Sequence, residues 1–274
     1  MARFIKTAEL PNSLKLPYLD QGDPSGVPLI LVHGYADSCR SFELLLPHLP
    51  KSIWTIALTQ RGHGDASRPP EGYRSLDFAV DLAAFMDSLQ IEAAVITGGS
   101  SGGFVARRFA IDFPERTLGL VFLGSPFILR DKQGVLDLWE STISKLTDPI
   151  NPGFVREFLM STYTQPVSQA FLETMLQESL KVPANVWKTT FEGLLEDNSS
   201  EELAEIKAPT LIIWGEEDTI VPLSDQEQLL AKIDGSQLAV YPEAGHAIYW
   251  EQPVQVASDL AMFVEKMVNY SCFD

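Results

Sequence analysis

Strand-sized apolar runs alternate with helical patterns through the first 125 residues, and this alternation limits the possible folds more tightly than any other feature of the chain. Residues 27–32, 53–58, 93–97 and 118–123 are short, apolar and bounded by turn residues, as buried strands are. Between them, residues 75–89 place Leu76, Ala79, Leu82, Ala83, Phe85 and Met86 at helical spacings, and 102–113 form a second helical stretch that Pro114 stops. Strands that are apolar throughout must be covered on both faces, and crossover helices between parallel neighbours supply the cover. The pattern predicts an α/β fold, a mostly parallel sheet with helices on both faces.

From residue 126 to 206 the strand signal vanishes, and helical segments follow one another at 135–146, 153–162, 169–181 and 184–195. Strand patterns return at 210–214 and 237–241, and an amphipathic helix over 254–268 closes the chain. Residues 126–206 thus read as an all-helical cap inserted into an α/β core built from 1–125 and 207–274.

Charge narrows the partners. The 274 residues carry 20 Lys+Arg against 37 Asp+Glu, a net charge of −17 spread along the chain. Such a surface repels phosphate backbones and anionic headgroups, which argues against nucleic acid and membrane and leaves a small molecule as the expected partner. No apolar run approaches the roughly 18 residues of a membrane helix, and the N-terminus lacks a leader's apolar core, so a cytoplasmic protein is expected. Cys39 and Cys272 fit no metal-ligand spacing and are expected as unlinked thiols.

The chemistry starts at Gly98-Gly99-Ser100-Ser101-Gly102, a Gly-x-Ser-x-Gly pattern between a predicted strand and a predicted helix. A serine at so sharp a turn is lifted clear of the sheet in a strained conformation, and only glycine leaves room two residues to either side. Ser100 is the candidate nucleophile, and the Ser101 N–H, at a helix N-terminus, is a candidate oxyanion donor. A phosphate loop would follow its glycines with Lys-Ser/Thr, which is missing here.

A serine needs a base, and the chain holds four histidines. His33 and His63 read as loop residues, and His48, among leucines and prolines, as a surface or packing residue. His246 follows the last predicted strand, where an open α/β sheet carries its functional loops. The carboxylate to orient it is expected beyond the strand 210–214: Asp218 fits best, Glu216 and Glu217 are close competitors, and Asp225 is a weaker one. The turn His33-Gly34-Tyr35 offers the Tyr35 N–H as a second oxyanion donor, with the Tyr35 ring equally able to wall a pocket.

In chain order, His33-Gly34, Arg61-Gly62-His63-Gly64 with Ser67, Gly98-Gly99-Ser100-Ser101-Gly102-Gly103, Asp218 and Gly245-His246 resemble the α/β-hydrolase superfamily. The resemblance implies an eight-stranded, mostly parallel sheet, a triad of Ser100, Asp218 and His246, an oxyanion hole from the Tyr35 and Ser101 amides, and no cofactor. Two positions depart from the usual pattern: Thr59-Gln60 where Asp is common, and Gly99 where His is common. Gly99-Ser100 with Gln60-Arg61-Gly62 is similar to proline iminopeptidases, which however usually carry His-Gly-Gly-Pro-Gly where this chain reads His33-Gly34-Tyr35-Ala36-Asp37. Serine at position 100 disfavours the epoxide hydrolases and haloalkane dehalogenases of this fold, which place Asp there.

Most aromatic residues of the cap are expected in its own core. Phe127, Trp187, and Tyr249 and Trp250 beside His246 are the candidate pocket walls, implying a mostly apolar acyl or alcohol group. Arg61, Arg107 and Arg108 are the cations to weigh against a substrate carboxylate, with Arg107 and Arg108 expected on the solvent side of their helix. The reading is a serine hydrolase that cleaves carboxylic esters of medium-sized, largely apolar small molecules through an acyl-enzyme on Ser100. The alternatives are a proline iminopeptidase-like aminopeptidase, a carbon–carbon bond hydrolase, a cofactor-free haloperoxidase or perhydrolase, and a triad-bearing small-molecule receptor.

Overall fold

The computed structural model describes residues 4–270. Its sheet comprises β1 (Lys6–Glu9), β2 (Lys15–Gln21), β3 (Pro28–Val32), β4 (Trp54–Leu58), β5 (Ala94–Gly99), β6 (Thr117–Leu123), β7 (Thr210–Gly215) and β8 (Gln237–Tyr241), in the spatial order β1-β2-β4-β3-β5-β6-β7-β8. The β1/β2 and β2/β4 pairs are antiparallel and the others parallel, so the sheet is the mostly parallel one expected. The first hairpin left no trace in the apolar pattern. β1 buries only Ala8, and Pro17 interrupts β2.

The helices are α1 (Ser75–Ser88), α2 (Gly102–Asp112), α3 (Gln133–Ser141), α4 (Pro152–Met160), α5 (Gln169–Leu180), α6 (Ala184–Glu196), α7 (Leu223–Lys232), α8 (Ile248–Glu251) and α9 (Pro253–Tyr270). On β6, Gly119 faces Phe263 and Met267 of α9, whereas Phe122 lies against Gly103 of α2. Residues three apart on a strand point to opposite faces, so α2 and α9 cover the two sides of the sheet. Between them Leu29 to Val32, Val95, Ile96 and Leu120 to Leu123 have no solvent exposure. Among the described residues no helix is long and apolar enough to cross a membrane.

Strand order reverses at β3, which lies between β4 and β5; such a switch opens a crevice at the carboxyl ends of the strands. Four helices, α3 to α6, are spliced in between β6 and β7. Arg107, expected toward solvent, is instead 1% exposed. Its guanidinium donates to Asp197 Oδ1 (2.7 Å), Ser199 Oγ (2.6 Å) and Phe127 O (2.7 Å), and lies 4.0 Å above the Phe104 ring. The face of α2 that a lone amphipathic helix would leave wet is covered by the segments entering and leaving the helical insertion, and one cation binds both. Arg108 is also withdrawn from solvent, holding Asp112 and Glu202. Cys39 is buried and free; Cys272 lies outside the described residues.

Candidate active site

Ser100 follows β5 with φ at +50°, in the left-handed region that L-residues rarely adopt. The turn is held by the Ser100 N–H donating to Leu123 O (2.8 Å) and by Ser125 Oγ donating to Ser100 O (3.0 Å). A Cβ on Gly98 would stand 2.4 Å from Gly102 O, and one on Gly102 would stand 2.4 Å from Val32 O. Backbone cannot yield as a side-chain tip can, so glycine is required at both positions.

The loop after β8 brings His246 over this turn. Its Nδ1–H donates to Asp218 Oδ2 at 2.8 Å, and its Nε2 stands 2.8 Å from Ser100 Oγ, ready to accept. Asp218 is fixed in turn, because its Oδ1 accepts from the Ile220 and Val221 amides at 2.8 and 2.9 Å. Glu251 steadies the histidine loop from below, accepting from the Gly245 N–H while also binding the amides of Thr164 and Gln165 in the helical insertion.

The competing residues are occupied elsewhere. Glu216 and Glu217 are exposed, and buried Asp225 binds the Phe127 amide and Lys132. His48 is exposed. His33 donates from Nδ1 to Gly34 O and accepts the Gln60 amide at Nε2, while His63 donates to Arg61 O. Burial drives both imidazoles toward the neutral form, His33 well below the usual histidine range and His63 to about 4. Arg61 is locked to Asp81.

Above Ser100 and His246 opens a cavity of about 830 Å³, solvent at its mouth included. The insertion supplies Val135, Leu138, Phe158, Leu159, Phe191 and Leu194 to its walls; the loop after β3 supplies Gly34, Tyr35 and Asp37; α8 supplies Tyr249 and Trp250. Tyr35 and Ser101 both line this space, and neither backbone N–H donates to a backbone carbonyl among the described residues. No group of three or more His, Cys, Asp or Glu among those residues is placed to hold a metal ion.

The sequence model of the α/β hydrolase fold matches residues 27–253. The chain belongs to the α/β hydrolase family. This hydrolase is 29% identical over 280 aligned positions to AB hydrolase superfamily protein YisY of Bacillus subtilis (strain 168), covering 96% of this chain and 99% of that one. It is 30% identical to 2-hydroxy-6-oxononadienedioate/2-hydroxy-6-oxononatrienedioate hydrolase 2 of Pseudomonas putida, over 91% of each chain. In fold it is similar to the esterase EaEST of Exiguobacterium antarcticum, with a TM-score of 0.85 and 20% identity over 96% of this chain and 100% of that one.

Two of the four expected wall residues of the hydrolase, Phe127 and Trp187, do not line the cavity. Trp187 has no exposure and packs edge-on behind Tyr35 at a centroid distance of 4.9 Å, its carbonyl accepting the Tyr35 hydroxyl. Phe127 is pinned at the root of the insertion, its N–H on Asp225 and its carbonyl on Arg107. Tyr35 lines the pocket, its ring backed by Trp187. The glycine before Ser100 also has its reason here. A Cβ on Gly99 would stand 3.1 Å from the Tyr249 ring, which fills the space that a larger residue at 99 would take.

Among the described residues, one charged pocket residue escaped the sequence reading, as did the apolar wall of the insertion. Asp37 is 7% exposed and accepts from Ser41 Oγ at 3.0 Å. Burial pushes its carboxyl up to about 7, against the pull of the Ser41 hydrogen bond and of His246. The available signal was an acidic residue four positions after His33, on the same loop as the Tyr35 amide.

Proposed function

We propose that this hydrolase cleaves carboxylic esters of medium-sized, largely apolar small molecules through an acyl-enzyme on Ser100. The observation that carries the reading is His246 held between Ser100 Oγ and Asp218 Oδ2 by two 2.8 Å contacts on the floor of an apolar cavity. Ser100 attacks the ester carbonyl as His246 Nε2 takes its proton, and Asp218 fixes the tautomer and stabilises the imidazolium. The Tyr35 and Ser101 amides stabilise the oxyanion, and His246 returns the proton to the leaving alkoxide. Water, activated by the same imidazole, then releases the acid and frees Ser100.

Residues 126–206 act as a cap that shapes the acyl site. Leu138, Phe158, Leu159 and Phe191 on the cavity wall favour an apolar chain. The Pseudomonas putida relative favours carbon–carbon bond hydrolysis as a second reading. Its name describes a dioate substrate, whereas no Lys or Arg lines the cavity here, which ranks the ester first.

The test is turnover of p-nitrophenyl esters from acetyl to octanoyl by wild type and Ser100→Ala, with proline naphthylamide in the same plate. Turnover should peak at an intermediate chain length and fall to background in Ser100→Ala while the circular dichroism spectrum is unchanged. Ester hydrolysis that persists in Ser100→Ala would overturn the nucleophile, and turnover of the proline amide alone would replace the esterase by a peptidase.

A further inference from the structure

Among the described residues Asp37 is the sole carboxyl on the cavity wall, and no Lys or Arg accompanies it there. It stands close to the reacting atom: a Cβ on Gly34 would lie 3.2 Å from Ser100 Cβ and 3.6 Å from Asp37 Oδ2, so only a glycine separates the two side chains. Its Oδ2 accepts the Ser41 hydroxyl, whereas Oδ1 receives no hydrogen bond from any described residue. Ser41 is itself shared, since Trp250 Nε1 reaches both its carbonyl (3.0 Å) and its hydroxyl (3.2 Å). Burying a carboxyl with one hydrogen bond is unfavourable, and the Ser41 hydroxyl and the neighbouring His246 offset it only in part. A ligand that brings a positive charge would offset the rest.

We propose that Asp37 determines specificity by selecting acyl groups that carry an ammonium close to the scissile carbonyl and rejecting those that carry a carboxylate there. The proposal rests on Ser100 being the nucleophile, since that is what places the reacting carbon beside Asp37. A carboxylate in the same position meets Asp37 with no cation on the wall to relieve the repulsion, while an ammonium forms a charge-assisted hydrogen bond to the open Oδ1 in a poorly solvated site.

The ionisable groups facing Asp37 are His246 from the loop after β8, with Asp218 behind it, Tyr249 from α8 and Tyr35 from its own loop. Burial raises both tyrosines far above neutrality, so they stay uncharged. An Asp37 carboxyl lifted to about 7 ionises as pH rises through that value, and cation binding should tighten in step. Comparison with Asp37→Asn separates this dependence from that of His246.

The experiment is calorimetric binding of three matched probes, pentylammonium, pentanamide and pentanoate, to wild type and Asp37→Asn at pH 6 and pH 8. Asp37→Ser serves as an independent removal of the charge should the asparagine variant fold poorly. At pH 8 wild type should bind pentylammonium at least about tenfold more tightly than pentanoate, a preference that shrinks at pH 6 and collapses in either variant. Equal affinity for the two charged probes in wild type, a ranking unchanged in the variants, or a preference insensitive to pH overturns the proposal. Binding is read independently of turnover. If the charge ranking holds while p-nitrophenyl butanoate is not hydrolysed at Ser100, the esterase reading fails and with it Asp37's role in acyl specificity, leaving only its preference for cationic ligands.

Discussion

Asp218→Asn changes one atom, and the surrounding hydrogen bonds dictate how the new amide must sit. Asp218 Oδ1 accepts from two backbone amides at 2.8 and 2.9 Å, so the asparagine oxygen has to stay there. Rotating the amide would aim its NH₂ at two N–H donors and forfeit both bonds, a cost of about 2–4 kcal/mol. The NH₂ group therefore faces His246 Nδ1, which can only accept from it. The proton moves to Nε2, and the imidazole turns from an acceptor of the Ser100 proton into a donor toward Ser100 Oγ. Losing the carboxylate beside a developing imidazolium adds about 2 kcal/mol, that of a charge-assisted hydrogen bond. Together these amount to roughly 5 kcal/mol in the barrier, or a fall of about 10⁴ in kcat/KM. The assay is kcat/KM for p-nitrophenyl butanoate, with the thermal midpoint to verify folding and ¹⁵N NMR of the imidazole to read the tautomer. A variant that keeps more than a tenth of wild-type kcat/KM, or a larger loss from Glu217→Gln, would refute the reasoning.

Arg107→Met should leave Asp197 buried without its cation and cost about 3–5 kcal/mol, lowering the midpoint of chemical denaturation; adding Asp197→Asn should recover part of the loss, and a variant as stable as wild type would show that the pair adds nothing. Asp37→Asn should stabilise the protein at pH 8 and change little at pH 4. A carboxyl raised to about 7 in the folded state and near 4 when unfolded contributes stability that is fully present below pH 4 and lost as pH rises through 7. The asparagine removes that loss, by about 2 kcal/mol with about 4 as the ceiling, and denaturation midpoints that differ equally at both pH values would contradict the assignment. Leu138→Trp fills the cavity from the insertion side and should move the preferred ester chain length downward by several carbons; an unchanged optimum would place the acyl chain elsewhere.

Legibility followed the range of the forces involved. The strands from β3 onward were visible because each carries a mostly apolar run, whereas β1, an edge strand that buries only Ala8, and β2, which holds Pro17 between its partners β1 and β4, are made strands by pairing more than by composition. The turn at Ser100 was visible because the steric demand falls on neighbours two residues away. Arg107, Trp187 and Phe127 were misplaced for one shared reason: each faces a segment distant in sequence, the arginine toward Asp197 and Ser199, the tryptophan toward Tyr35, the phenylalanine toward Asp225.

Sequence by itself determined the α/β class and the position of the serine turn, since apolar period and glycine sterics act within a few residues along the chain. It also narrowed the candidate base to His246 and the candidate acid to a short acidic stretch. Only the tertiary structure separated Asp218 from Glu216 and Glu217, by the backbone amides of Ile220 and Val221 on one side and His246 on the other. Only the tertiary structure brought Asp37 beside Ser100, because the two follow β3 and β5, strands far apart in sequence that pair side by side where the strand order reverses, with Gly34 leaving the gap open between them.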